Sequence, residues 1–334
     1  MRLPQFDYKG PDTLEKALDL LSAHAQDAKI LAGGTDLLVR MKKGLIAPKF
    51  LISLKALNEL SYIKKDKNTI RIGARTCLAD IIASDPVQKE ATALSTACER
   101  VGSATIQHFR GTIGGNILQD NRCFHYNQSP FHRSGRQACH KDGGKICYAR
   151  DESDRCNSTC QSDGATALMA LGANLVLVSK GHERTVALTD FYTTDGIMPF
   201  AMEPTELLKE IVIPVEGGKS SYQRLAYRSA IDYPIVCAGV LLKASAKKDT
   251  IEDARIVVGA MGRSPLFLNQ ESSSLKGKLI TDTAAFQKVA DSSMNSAATF
   301  AVHNVGSTLE YRCAMVSEMV FRALQDAAAA ASKA

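Results

Sequence analysis

Residues 120–162 form a long polar segment that constrains the fold of this chain more than any other feature. The segment is rich in Cys, His, Arg and Gly and has almost no apolar periodicity. A loop of this length inside a compact domain either has an internal organiser or is disordered. Five of the nine cysteines lie in this segment, within a stretch of 38 residues. In a reducing cytoplasm such a cluster indicates metal or redox chemistry before disulfides.

Four of these cysteines have a spacing that suits a shared metal centre. The separations are 16, 8 and 9 residues between Cys123, Cys139, Cys147 and Cys156, so four loop segments can converge on one point. Four thiolates hold either a [4Fe-4S] cluster or one zinc ion. Structural zinc sites usually contain C-x-x-C pairs, and this segment has none. The spacing therefore favours iron-sulfur over zinc, with a metal-free loop as the third alternative. Three histidines are candidate replacements for a cysteine ligand: His125, His132 and His140.

Two glycine-rich stretches are candidate ligand loops. LAGGTDL at residues 31–37 follows a predicted strand and opens a predicted helix, and GTIGGNI at residues 111–117 repeats this pattern. Exposed backbone N–H groups at such a turn suit a pyrophosphate. The alternative for each stretch is a tight turn, but two of them in one domain favour a dinucleotide. Neither has the G-x-G-x-x-G spacing, so a Rossmann site for NAD is not supported.

The periodicity of the first 220 residues predicts a series of α/β units. Apolar residues at helical spacing predict a helix over residues 13–25, followed by strands at 28–33 and 50–54 and a hairpin around residues 65–68. Residues 77–102 predict two helices separated at Asp85-Pro86. Beyond the cysteine-rich segment, a helix and two further strands follow.

The remainder of the chain predicts a separate domain. Three strand-like runs begin near residue 220 and are followed by a helical region over residues 282–329, which indicates an α+β unit. The Ala-rich end, QDAAAAASKA, predicts a fraying helix or a disordered tail. A length of 334 residues also favours two domains over one.

Charge and hydropathy exclude several classes of protein. The formal net charge is +6, far below a nucleic-acid footprint. No apolar run approaches the roughly 18 residues of a membrane span, and the start MRLPQFDYKG lacks the organisation of a secretory signal. We therefore expect a cytoplasmic protein without nucleic-acid or membrane partners.

The pairing of AGGTDLL with TIGGNI, followed by Ser162-Asp163 and ELLKEIVIP, resembles the FAD-binding medium subunit of the xanthine dehydrogenase family of molybdenum hydroxylases. The resemblance covers essentially the whole chain. Most members lack an insert between TIGGNI and Ser-Asp. The insert found here resembles the one in the β subunit of 4-hydroxybenzoyl-CoA reductase, which carries an extra [4Fe-4S] cluster. The matching cluster ligands are Cys123, Cys139, Cys147 and Cys156.

The resemblance implies an α+β fold with defined domains. Residues 1–217 would form a two-part α/β FAD-binding domain of the vanillyl-alcohol-oxidase (PCMH) type, with subdomains at about 1–55 and 56–217 and the cluster insert at about 120–160. Residues 218–328 would form an α+β domain of the CO dehydrogenase flavoprotein C-terminal type.

The resemblance also implies FAD contacts, carried over residue by residue. One side of the pyrophosphate would be held by the first loop and its flanks: Lys29, Leu31, Ala32, Gly33, Gly34, Thr35 and Asp36. The other side would be held by Thr112, Gly114, Gly115 and Asn116. Further contacts are expected from Asp163, Leu208, Arg228, Asp232 and Tyr233. The last three would approach the flavin ring, and the alternative for Tyr233 is a packed core aromatic. Cys160 has no counterpart and is either a bystander or a competing fourth ligand.

The implied function is an electron relay without catalytic residues on this chain. FAD would exchange electrons with an external carrier such as ferredoxin or a nicotinamide. A large molybdopterin subunit and a small [2Fe-2S] subunit would be partners in a dimer of heterotrimers. The implied substrate is an aromatic acyl-CoA such as 4-hydroxybenzoyl-CoA. Alternatives are the same cofactors in an aldehyde or N-heterocycle oxidoreductase, a self-sufficient flavin oxidase, and a zinc-stabilised binding or scaffold module.

Overall fold

A small parallel sheet opens the chain. The computed structural model describes residues 2–215, 217–304 and 306–333. Three parallel strands lie in the order β1-β3-β2. Helix α1 begins at a cap in which the Thr13 side chain accepts a hydrogen bond from the Lys16 backbone N–H, and it buries Ala17, Leu18 and Leu21 against the sheet. The elements are β1 (Asp7–Lys9), α1 (Leu14–His24), β2 (Ala28–Leu31), α2 (Leu37–Lys42) and β3 (Phe50–Ser53).

A five-stranded antiparallel sheet forms the second unit, with the strand order β4-β5-β8-β6-β7. Its apolar face packs against short helices in one continuous core that includes Ile72, Ile113, Leu168 and Ile211. The elements are β4 (Ile63–Lys65), β5 (Thr69–Gly73), α3 (Leu78–Ile82), α4 (Asp85–Glu90), α5 (Thr92–Arg100), α6 (Gln107–Arg110), α7 (Ile113–Ile117), α8 (Pro130–Ser134), α9 (Asp163–Ala170), β6 (Asn174–Ser179), β7 (His182–Ala187), α10 (Leu188–Phe191) and β8 (Leu207–Pro214).

The cysteine-rich insert lies between α7 and α9. Residues 118–162 are all described and contain one short helix, α8, and one 3-10 turn at His140–Asp142. Two isolated backbone bridges organise the rest. Arg122 pairs with Thr159 in antiparallel fashion, and Cys139 pairs with Ile146 in parallel fashion. The first bridge closes the two ends of the insert, and the second closes its central loop.

A third sheet begins at β9. Four antiparallel strands lie in the order β12-β11-β10-β9, and α12 and α13 cover one face through an apolar core. The fully buried Arg312 donates hydrogen bonds to the carbonyl oxygens of Ile235, Val302 and Ala260, which ties α13 to the strand ends. The elements are β9 (Lys219–Leu225), β10 (Val236–Ala244), β11 (Ile251–Gly259), β12 (Leu266–Phe267), α11 (Asn269–Ser274), α12 (Thr283–Phe300) and α13 (Leu309–Lys333).

Two local predictions are wrong in part. Residues 77–102 form three helices rather than two. The predicted separation at Asp85-Pro86 lies where α4 begins, with Pro86 in its first turn, and a second break at Ala91 (φ −132°, ψ 45°) divides α4 from α5. The Ala-rich end continues α13 to Lys333 and buries Ala327, Ala328 and Ala331 in the C-terminal core. Only Ala334 of that stretch lies outside the described residues.

Within the described ranges, no helix is both long enough and apolar enough to cross a membrane.

Candidate functional site

The two glycine loops touch each other through their backbones. The first loop, residues 32–36, connects β2 to α2, and the second, residues 111–117, leads into α7. A Cβ on Gly33 would lie 1.6 Å from the carbonyl oxygen of Arg110 and 3.2 Å from the Gly111 nitrogen. No side chain fits there, so glycine at 33 is what allows the two loops to meet. Gly34 has φ +75°, a conformation that favours glycine.

The second loop is stabilised by a hydrogen bond within the loop and has one open face. Thr112 caps α7 by accepting a hydrogen bond from the Gly115 backbone N–H at 3.1 Å. A Cβ on Gly115 would meet only the Thr112 hydroxyl within 4 Å, so this face of the loop is open. Gly114, in contrast, is packed against the backbone of Ala74. The predicted contacts in both loops thus lie together.

Asn116 connects the second loop to α9. Its side-chain oxygen accepts hydrogen bonds from the Ser162 hydroxyl at 2.8 Å and from the Gly164 backbone N–H at 3.0 Å. Asp163, between these two residues, is buried and accepts hydrogen bonds from the Tyr222 hydroxyl at 2.7 Å and from Arg224 Nε at 2.8 Å. Burial raises the pKa of Asp163, and the Arg224 charge opposes that effect. The Asp163 carboxylate therefore joins α9 to the C-terminal sheet.

Arg122 lies between the first loop and the C-terminal unit. Its guanidinium forms an ion pair with Asp36 and lies over the ring of Tyr233, 5.3 Å from the ring centroid. Tyr233 is 42% exposed, so the alternative of a packed core aromatic is wrong. Its neighbour Ile231 donates its backbone N–H to the Gly102 carbonyl at 2.7 Å, which attaches residues 228–233 to the segment between α5 and α6.

The remaining residues predicted to contact FAD lie partly on the surface and partly in the core. Arg228 and Asp232 face each other at 3.5 Å on the same surface segment as Tyr233. Lys29 is exposed on β2, beside the partly buried Leu31. Leu208 is buried in the core of the second unit, and nothing in its packing distinguishes it from its neighbours.

Two buried nitrogen atoms beside the first loop have no hydrogen-bond partner among the described residues. They are the Nε atoms of Arg40, which lies on α2, and of Arg122, which pairs with Asp36. Buried donors are rarely left unpaired in native proteins, so a polar ligand is expected beside them. Together with the open face at Gly115, these donors fit an anionic dinucleotide such as FAD.

The four cysteines predicted as metal ligands line one recess, which also contains Lys141 and Ser158 and is called the cysteine recess below. The bridges in the insert explain their convergence. The Arg122–Thr159 bridge brings the segments of Cys123 and Cys156 together, and the Cys139–Ile146 bridge brings Cys139 beside Cys147. All nine cysteines of the chain are described, and each is a free thiol.

Two of the four cysteines of the recess, Cys123 and Cys156, are buried, and the other two are partly exposed. As free thiols, burial raises the pKa of Cys123 to about 11 and raises that of Cys156 as well. In the described part of the chain, no group of three or more His, Cys, Asp or Glu side chains is arranged to hold a metal ion. The set of four free cysteines is nevertheless the donor chemistry of a [4Fe-4S] cluster, which binds one thiolate at each iron.

The histidines of the insert and Cys160 differ in their position relative to the cysteine recess. His125 and His140 also line the recess, whereas His132 does not. The ring of His140 is hydrogen-bonded to the Ser153 carbonyl at 2.9 Å. Cys160 is buried in the core of the second unit, outside the recess, and its backbone N–H donates to the Gly262 carbonyl at 2.9 Å. This position favours Cys160 as a bystander.

Gly196 closes one side of the cysteine recess. A Cβ at this position would lie 2.9 Å from the Cys156 sulfur and 2.5 Å from the Ser158 hydroxyl. Its own N–H donates to the Cys156 carbonyl at 3.1 Å. Sequence analysis missed Gly196 together with Arg122 and Lys141, because none of the three belongs to a local motif.

Comparison with known proteins gives the following relationships. The family described as FAD binding domain in molybdopterin dehydrogenase matches residues 4–216, and the CO dehydrogenase flavoprotein C-terminal domain matches residues 221–327. The nicotinate dehydrogenase FAD-subunit of Eubacterium barkeri is 28% identical over 84% of this chain and 82% of its own length. The carbon monoxide dehydrogenase medium chain of Hydrogenophaga pseudoflava is 28% identical over 97% of both chains.

A solved structure shows the same fold. Carbon monoxide dehydrogenase from Hydrogenophaga pseudoflava, in a form that lacks the Mo-pyranopterin moiety of the molybdenum cofactor, contains a chain that is 26% identical. The match covers 99% of both chains with a TM-score of 0.79. The predicted fold, an FAD-binding domain followed by a CO dehydrogenase flavoprotein C-terminal domain, is thereby confirmed.

Proposed function

The chain belongs to the family of FAD-binding domains of molybdopterin dehydrogenases, and on that basis we propose that it is the electron-relay subunit of a molybdenum hydroxylase-family complex. It is an oxidoreductase subunit that binds FAD. The observation that carries the proposal is the close approach of Gly33, in the first glycine loop, to Arg110 and Gly111 at the start of the second, because contact between two candidate anion-binding loops supports one shared pyrophosphate site.

We assign the FAD contacts to the residues predicted from the sequence. Backbone N–H groups of residues 32–36 and 112–116 would hold the pyrophosphate, and Tyr233 would approach the flavin ring. The Asp36 carboxylate is paired with Arg122, so the role of Asp36 is to fix the loop rather than to face the phosphates. Leu208, which lies in the core of the second unit, is proposed as an apolar residue near the cofactor. We also propose residues 1–217 and 218–328 as the two domains.

Each cofactor has a distinct task in a relay. When bound, FAD exchanges two electrons with an external carrier, and iron-sulfur centres pass single electrons towards the molybdenum partner. This chain contributes position and electrostatics. The meeting of the loops would fix where the cofactor lies, and Arg122, the residue before Cys123, pairs with Asp36 of the first loop.

We further propose that Cys123, Cys139, Cys147 and Cys156 hold a [4Fe-4S] cluster. Their position around one recess supports this, as does the absence of disulfides among them. Each thiolate of a four-iron cluster binds a different iron, so the sulfur atoms need to surround a common space without meeting at one point. A zinc ion needs all four sulfurs at about 2.3 Å from one centre. The support for the cluster is therefore the donor set, four free cysteines that line one recess.

The partners and substrate are proposed from relatives and from the insert. Relatives are named as medium chains or FAD-subunits, which supports a large molybdopterin subunit and a small [2Fe-2S] subunit in a dimer of heterotrimers. The resemblance of the insert to that of the 4-hydroxybenzoyl-CoA reductase β subunit is the basis for proposing an aromatic acyl-CoA such as 4-hydroxybenzoyl-CoA as the substrate. The proposed electron carrier is a ferredoxin or a nicotinamide. The similarity to a nicotinate dehydrogenase subunit favours an N-heterocycle as the second candidate. We place the complex in the cytoplasm.

The experiment that separates these substrates follows the visible spectrum of the whole complex, purified without oxygen. If the complex is an acyl-CoA reductase, 4-hydroxybenzoyl-CoA reoxidises it after reduction. If it is a hydroxylase or aldehyde dehydrogenase, nicotinate or an aldehyde reduces the oxidised complex. A colourless preparation would instead support the zinc-stabilised scaffold and refute the relay.

A further inference from the structure

Lys141 is a buried cation between the cysteine recess and the first glycine loop. Its side chain is 7% exposed. The ammonium group donates hydrogen bonds to Asp120 Oδ1 and to the carbonyls of Asn121 and Gly196, each at 3.0 Å. An ammonium group removed from water is retained only where acceptors of this kind surround it. The position of its charge is therefore well defined.

The Lys141 ammonium group lies beside the cysteine recess. Lys141 lines the cysteine recess and lies 3.4 Å from the Ser158 hydroxyl. The same hydroxyl accepts a hydrogen bond from the Cys156 thiol at 3.4 Å. Lys145, the other lysine of the insert, is exposed and does not line the recess. One lysine of the insert is thus buried beside the sulfur atoms, while the other faces solvent.

On its other side, Lys141 is connected to the first glycine loop. Asp120 is 9% exposed and accepts from Lys141, and its second oxygen lies 3.3 Å from the guanidinium of Arg40. Arg40 belongs to α2, which follows the first loop directly. One carboxylate is shared by two cations, so the group of Asp120, Lys141 and Arg40 has a net positive charge.

We propose that Lys141 is a positioning residue that raises the reduction potential of the cluster in the cysteine recess and links that recess to α2 through Asp120. The inference rests on the proposed cluster. Reduction adds one electron, supplied by the reductant, and so adds one negative charge to a centre that is already anionic. A buried cation nearby favours the reduced form, and net charge is one of the factors that set cluster potentials. The charge of Lys145 is screened by water and has little effect.

The test is a redox titration of the anaerobically purified complex with dithionite, with the cluster followed by electron paramagnetic resonance. We compare Lys141→Met, Lys141→Arg and Lys145→Met with the parent protein. The expected result is a lower midpoint potential for Lys141→Met alone. A full iron content with an unchanged midpoint in Lys141→Met would overturn the proposal.

A second variant keeps the test decisive if Lys141→Met does not hold iron. Asp120→Asn removes the negative charge between the two cations, so we expect a higher midpoint, opposite in sign to that of Lys141→Met. An unchanged or lower midpoint in Asp120→Asn would refute the role of this charged group. If the parent complex itself contains no four-iron cluster, the proposed function fails, and this inference fails with it. If the parent complex contains the cluster but neither substitution changes its midpoint potential, this inference is refuted and the proposed function is not.

Discussion

Arg122 directly precedes Cys123, and its guanidinium is paired with the carboxylate of Asp36 at the end of the first glycine loop. Arg122 therefore connects the two candidate sites, since it adjoins Cys123 in the sequence and its side chain contacts the first glycine loop. The same guanidinium lies over the ring of Tyr233. The insert is thus attached to the scaffold at the point where the flavin is expected.

Replacing Arg122 should weaken FAD binding. In Arg122→Leu, Asp36 loses its partner in a partly buried place, which costs roughly 1–3 kcal/mol of unfolding free energy and releases the first loop. We expect a lower flavin content per chain after gel filtration and a lower midpoint of thermal unfolding. Arg150→Leu is the matched control, since Arg150 is an exposed arginine of the same insert. A variant with full flavin content and unchanged stability would contradict the role given to the pair.

Gly33→Ala should separate the two glycine loops. Its Cβ would lie 1.6 Å from the Arg110 carbonyl oxygen, and a backbone atom cannot move aside as a flexible side chain does. We expect loss of most of the bound FAD, measured by flavin fluorescence after denaturation. Gly135→Ala, where the nearest atom lies at 3.7 Å, should retain FAD. Equal flavin content in the two variants would mean that the loop contact does not form the FAD site.

Gly196→Ala should act on the cysteine recess from outside the insert. The added methyl group would come within 2.9 Å of the Cys156 sulfur and 2.5 Å of the Ser158 hydroxyl, so Cys156 has to move. We expect a lower iron content with FAD retained, and Gly135→Ala again serves as the control. Unchanged iron would show that Cys156 does not bind the metal at this position.

Cys139→Ser should remove the cluster and leave FAD largely bound. The FAD loops are held by Gly33, Thr112 and Asn116, which lie outside the insert. Cys313→Ser, in the C-terminal helix and outside the recess, is the control and should retain iron. Iron and flavin are measured on the same samples, and a retained iron signature in Cys139→Ser would refute the ligand assignment.

The sequence predicts most of the regular elements because apolar periodicity is a local property. Helix α1 and strands β2, β3 and β5 lie where the pattern places them. The break between α4 and α5 is missed because Ala91 is a helix-favouring residue type, and only its backbone conformation ends the helix. The Ala-rich end is helical, as one of its two alternatives predicts, but its packing is missed because alanine carries little hydrophobic signal, although Ala327 and Ala331 pack in a core.

The residues of the candidate site are likewise predicted only in part from the sequence. Glycine loops and clustered cysteines are visible in the sequence because each is a short motif with characteristic residues. Gly196 and Lys141 are not, since their contacts join segments 40 and 55 residues apart along the chain (156 to 196 and 141 to 196). Arg122 was passed over because its partner Asp36 is 86 residues away. Such contacts depend on the tertiary fold, which no local pattern records.

The most direct test of the proposed relay is the cofactor content of this chain, purified without oxygen together with any partners that remain bound. Iron, acid-labile sulfide, zinc and flavin are quantified per chain. The amounts measured in the separated partner subunits are subtracted from the total. We expect about four iron, about four sulfide and about one FAD, with no stoichiometric zinc. Zinc in the absence of iron, sulfide and flavin would contradict both cofactor assignments and leave the cysteine recess as a structural metal site.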